Sequence, residues 1–106
     1  MNGYEHLADV ADVREGMLLP VERADGDEVC LYNFRGRIGA VSNICTHAEF
    51  LISDGTLRAD GTLECAWHGA LFDCRTGEVC RGPAEDPLPV YPVAIEGTQI
   101  LVGPCQ

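Results

Sequence analysis

Lysine is absent. All seven basic residues of this 106-residue chain are arginines, set against seventeen acids for a formal charge of −10. Nucleic-acid binding needs clustered positive charge to meet the phosphates, so this balance argues against that class. Attachment to an anionic membrane surface is opposed on the same ground. Long apolar runs are missing too: none approaches the roughly 20 residues that a membrane span needs. Residues 1–10 hold no basic region followed by an apolar run, so no targeting segment is expected and the chain reads as cytoplasmic. An apolar period of 3.6 is nowhere sustained for the length of a real helix. The acidic surface keeps the chain soluble, and its field steers it toward a partner with a basic patch.

What is present is β-forming sequence cut by turns. Twelve glycines and six prolines are spread along the chain, and hydrophobic residues make up 46%. Residues 4–7 and Met17–Glu22 read as strands, with a turn or single helical turn over Ala8–Gly16 between them. Asp25-Gly26-Asp27 marks a hairpin, and Arg35-Gly36 a second between Val29–Phe34 and Arg37–Ser42. Asn43–Gly55 is irregular. Asp60-Gly61 turns into a short strand, Thr62–Cys65. Thr76-Gly77 joins Ala70–Cys74 to Glu78–Arg81, Gly82–Pro89 is a loop, and a last hairpin joins Val90–Ile95 to Gln99–Val102 through Glu96–Thr98. The expected fold is all-β, one antiparallel sandwich or barrel spanning residues 1–106.

Two short pieces carry chemistry: Cys45-Thr46-His47, then, after seventeen residues, Cys65-Ala66-Trp67-His68. Each lies in a loop and offers one thiolate and one imidazole. Brought together at the tip of a β scaffold, they supply two sulfurs and two nitrogens. A [2Fe–2S] cluster can take the cysteines on one iron and the histidines on the other. Two neutral imidazoles in place of two thiolates remove negative charge from the site and raise its potential above an all-cysteine centre. Zinc is the alternative for such a set, but structural zinc pairs are usually spaced more widely than Cys-x-His. His6 has no motif around it and is read as an ordinary surface histidine.

This pattern resembles the Rieske iron–sulfur family. The likeness covers most of the chain: the strand order, the two loops, Phe72-Asp73 and Thr76-Gly77 after the second loop, and the Gly82-Pro83 loop. The resemblance implies a Rieske fold with a cluster-binding subdomain of two loops, at about 43–55 and 65–72. It implies one [2Fe–2S] cluster per chain, with Cys45 and Cys65 on the buried iron and His47 and His68 on the outer iron through Nδ1. The Pro83–Pro87 loop would cover a third side.

Quinol-oxidising members of that family carry a disulfide between the two loops, and a serine and a tyrosine that hydrogen-bond to sulfur. The matching positions here are Phe50 and Trp67, then Ala70 and Phe72. Fewer hydrogen bonds to sulfur leave the extra electron less stabilised, which points to the low end of the Rieske range, roughly −150 mV. The chain is most similar to the stand-alone Rieske ferredoxins of bacterial aromatic-ring-hydroxylating dioxygenase systems. Those carry single electrons from an NAD(P)H-dependent flavoprotein ferredoxin reductase to a terminal Rieske non-heme iron oxygenase. The likeness therefore implies a monomeric carrier that is not itself an enzyme. The alternative is a Rieske-type small subunit or carrier of another oxidoreductase, such as nitrite reductase. Phe50 and Trp67 either pack over the cluster or form an apolar docking tip. Outside the motif, Cys30, Cys74 and Cys80 are expected to be buried free thiols, and Cys105 to be exposed.

Overall fold

The computed structural model describes residues 3–45, 51–66, 69–82 and 86–104. It is built almost wholly of short antiparallel strands. β1 (Glu5–Asp9), β11 (Gln99–Val102) and β10 (Val93–Glu96) form one sheet in that order. A second sheet is ordered β2 (Leu18–Glu22), β3 (Glu28–Phe34), β4 (Arg37–Ser42), β9 (Val90–Tyr91). The third is a meander of β5 (Thr56–Leu57), β6 (Thr62–Glu64), β7 (Leu71–Asp73) and β8 (Val79–Arg81). Two single turns of 3₁₀ helix, Val10–Asp12 and Ile52–Asp54, complete the described elements. The all-β expectation holds. Among the described residues no helix is long and apolar enough to cross a membrane.

β3 explains how three sheets share one scaffold. Side chains alternate across a strand, and both faces of this one are buried. Val29 and Leu31 enter a core with Val13, Ala40, Tyr91, Ile100 and Val102. Cys30 and Tyr32 enter a second core with Val41, Ile52, Leu63, Phe72 and Leu88. The continuous apolar run Val29–Tyr32 is the sequence trace of that double burial. At its end, Arg35 and Gly36 take φ of 54° and 91°, and Phe34 pairs with Arg37. This is the two-residue type I′ hairpin expected for a tightly twisted pair.

The termini are fastened by one buried cation. Arg23 donates to the carbonyls of Gly103 (2.7 Å) and Gly3 (3.2 Å) and pairs with Glu5 at 3.1 Å. Its guanidinium also lies 5.5 Å from the centre of the Tyr91 ring.

Three details depart from the sequence reading. β5 was not anticipated, because two residues leave no alternating pattern to read. The run Val90–Ile95 divides at Pro92 into β9 and β10, which belong to different sheets; proline has no N–H to continue a ladder. The turn between β7 and β8 is longer than Thr76-Gly77. Phe72 pairs with Val79, and the Asp73 carboxylate accepts from the Arg75 amide at 2.8 Å, capping a wider loop. A two-residue turn at Thr76-Gly77 would set Cys74 opposite Val79; the wider loop sets Phe72 there instead.

Burial pushes the Cys30 thiol up to about 12 and also raises Tyr32 and Cys74, which share a side-chain hydrogen bond. Below pH 9.0, the ordinary value for the thiol, folded and unfolded chains both keep these protons. Above it the unfolded chain releases protons that the folded core retains, so stability falls as pH rises toward about 12. Melting temperature should decline across that window. Cys30→Ala should lower the starting value by roughly 1 kcal/mol of stability but flatten the decline. An identical slope in the variant would show that this thiol is not responsible.

Candidate metal centre

The first of the two expected loops is closed at its neck by backbone pairing. The Ile52 amide donates to the Asn43 carbonyl at 2.7 Å, and Ile44 bridges Leu51. Asn43 is fully buried and locks this neck to the scaffold. Its Nδ2 donates to Glu28 Oε1 at 2.6 Å, and its Oδ1 accepts from the Ser53 amide at 2.8 Å. Cys45 emerges from this neck into the core, 2% exposed.

The second loop is closed in the same manner. The Cys65 amide donates to the Ala70 carbonyl at 2.9 Å, and the Gly69 amide to the Cys65 carbonyl at 3.2 Å. Gly69 has φ of +68°, the left-handed turn that brings the chain back into β7. The 82–89 loop is tied down at its far end. The Ser42 amide donates to the Pro89 carbonyl, and the Leu88 amide to the Gly77 carbonyl.

These necks deliver Cys45 and Cys65 to one core, together with Ala70 and Phe72. Neither cysteine is in a disulfide. Two cysteines from different loops in one buried cluster could supply the sulfur half of a two-sulfur, two-nitrogen donor set. A cleft of about 410 Å³ opens beside Cys65, lined also by Asp54, Thr56, Glu64 and Gly69 among others. Ala70 and Phe72, both fully buried there, bring no side-chain donor toward sulfur. The residues present therefore fit a cluster held by thiolates at its inner end. His47 and His68 lie outside the described residues, as do Thr46, Phe50, Trp67, the 83–85 stretch and Cys105. Among the described residues no group of three His, Cys, Asp or Glu side chains converges as a metal site would need.

His6 is exposed and bonded to Asp9 at 2.8 Å, as a surface histidine would be. Cys30 and Cys74 are buried as expected, but Cys80 is exposed. The cause is a bulge: Leu71 pairs with Arg81 and Phe72 with Val79, so Cys80 has no opposite residue. Sequence reasoning missed three supporting residues. Asn43 carries no motif. Gly55 allows a backbone contact, since a Cβ there would overlap the Glu64 carbonyl oxygen. Arg81 lies beyond both loops in sequence.

Comparison with known proteins decides the family. The model of the Rieske [2Fe–2S] domain matches residues 4–92. The chain belongs to the Rieske [2Fe–2S] family. Its cofactor is a [2Fe–2S] cluster. Among relatives of this Rieske protein, the ferredoxin component of the p-cumate 2,3-dioxygenase system of Pseudomonas putida is 44% identical over 93 residues, covering 86% of this chain and 77% of that protein. The ferredoxin of carbazole 1,9a-dioxygenase from Nocardioides aromaticivorans IC177 superposes with a TM-score of 0.88 at 33% identity, covering 97% of this chain and 99% of that one. A chain in the complex of reduced oxygenase and oxidised ferredoxin of carbazole 1,9a-dioxygenase gives a TM-score of 0.89 at 25% identity, covering 97% and 94%.

Two outcomes test this geometry. Gly55→Ala should cost roughly 1–3 kcal/mol or more, because backbone must move to admit the methyl group; iron bound per chain should fall with it. A thiol reagent applied to the native protein should label Cys80 and spare Cys30 and Cys74 until denaturant is added, as peptide mass mapping would show.

Proposed function

We propose that this Rieske protein is a low-potential one-electron carrier, a ferredoxin component of an aromatic-ring-hydroxylating dioxygenase system rather than the hydroxylase itself. Its ligands are Cys45 and Cys65 at the buried iron and His47 and His68 at the outer iron. The observation that carries the reading is the pair of cysteines, Cys45 and Cys65, brought by separate loops into one core. The bound cluster supplies a centre that accepts and returns one electron. The chain's own residues do the rest. Asn43 and the paired loop necks hold the cysteines in place, and Phe72 and Leu88 exclude water from the inner side. Ala70 and Phe72 offer no hydroxyl to stabilise the extra electron, which favours a potential near about −150 mV, the low end of the family's range.

The complex of oxygenase and ferredoxin among the similar structures supports an oxygenase as partner. The electron donor is a flavin-dependent ferredoxin reductase using NADH or NADPH, and the acceptor is a terminal Rieske non-heme iron oxygenase. The carrier works as a monomer and as one domain over residues 1–106. Cys30, Cys74 and Cys80, in no disulfide, suit the reducing cytoplasm. A role as a small subunit of an enzyme such as nitrite reductase is the weaker reading, since the 44%-identical relative is named a dioxygenase ferredoxin.

The deciding experiment is an electron paramagnetic resonance spectrum of the dithionite-reduced protein. A rhombic signal is expected, with an average g below that of all-cysteine [2Fe–2S] ferredoxins. His68→Cys should move the spectrum toward the all-cysteine form. A silent, zinc-containing sample would overturn the ligand assignment. A proper spectrum without reduction by any flavoprotein reductase would overturn the carrier role alone.

A further inference from the structure

Strand β8 breaks its register where it passes the second ligand loop. The bulge at Cys80 leaves Arg81 opposite Leu71, two residues beyond Gly69. Bulges of this kind re-aim a side chain. Here the re-aimed side chain reaches back along the loop. Arg81 donates to the Gly69 carbonyl from both Nε (3.0 Å) and Nη2 (2.7 Å), and Nη2 also lies 3.4 Å from Glu64 Oε2. The guanidinium packs directly on Gly69, where a Cβ would come within 3.0 Å of it.

Stability does not account for this arrangement. Arg81 and Glu64 are 55% and 35% exposed, and a surface pair of that kind contributes little to folding. What the contact does is local. It fixes the carbonyl of the residue that follows His68, in a turn whose positive φ gives the loop its return path. It also sets a permanent positive charge beside a site that gains an electron, and Glu64 sets a negative one next to it. A nearby cation favours the more negative, reduced state, and a nearby anion opposes it.

We propose that Arg81 is a positioning residue for the second ligand loop, and that the Arg81–Glu64 pair tunes the reduction potential of the cluster through charges of opposite sign. The inference rests on the assignment of Cys65 and His68 as ligands.

The test is a spectroscopic redox titration, with electron paramagnetic resonance spectra, of the cluster-loaded native protein and of Arg81→Gln, Arg81→Lys and Glu64→Gln. The midpoint potential should fall in Arg81→Gln and rise in Glu64→Gln, and both shifts should shrink as salt screens the charges. Arg81→Lys should hold a near-native potential while broadening the spectrum, because an ammonium cannot present two fixed N–H groups to one carbonyl. A native potential and line shape in Arg81→Gln overturns the proposal. Shifts of the same sign in Arg81→Gln and Glu64→Gln overturn its electrostatic part, since loosened packing alone would move both alike. Should Arg81→Gln lose its cluster, the proposal stands or falls on the other two variants. A native spectrum without the histidine-ligated signature overturns the ligand assignment instead, and is distinguishable because it appears before any substitution.

Discussion

Burial of β3 on both faces is the constraint on which the other elements depend. A slip of one residue would exchange its two faces, sending Val29 and Leu31 into the core that Cys30 and Tyr32 fill. The register fixed there runs outward through β4 to the Asn43 neck. Glu28, the first residue of the same strand, accepts from that neck through both its carboxylate and its carbonyl. The placement of Cys45 is thus a downstream effect of core packing in a strand whose other end is a hairpin.

The third sheet depends on the second in turn. Phe72 and Leu63 fill the core beneath Tyr32, and the Tyr32 hydroxyl shares a hydrogen bond with Cys74. Gly39 keeps that ring in place from the other side, since a Cβ there would strike it. The small meander carrying Cys65 is therefore seated by aromatic and aliphatic packing, and polar contacts finish the alignment.

Much of this was legible in the sequence, for specific reasons. A continuous apolar run and a Gly-containing turn announce β3 and β4. The Cys-x-His and Cys-x-x-His spacing points to Cys45 and Cys65, which the fold brings into one core. The elements that escaped are those set by long-range contact. β5 is too short to show a period. The division at Pro92 depends on which sheet each half meets. The exposure of Cys80 follows from a bulge, which has no local signal. Asn43, Gly55 and Arg81 support the site through partners nine to seventeen residues away, and only the folded chain brings those partners near.

The paired necks of the two loops bear on the speed of electron exchange. A redox site built on floppy segments would shift its ligands each time its charge changed, and that reorganisation would slow every transfer. In this chain both necks are closed by backbone pairs, and the cysteine ends are sunk in a close-packed core of low compressibility. With Cys45 and Cys65 as ligands, the sulfur side of a bound cluster would shift little when the electron arrives. The activation barrier would then lie mainly in the surrounding water and in the approach of the partner, so a modest driving force would suffice for rapid passage in either direction.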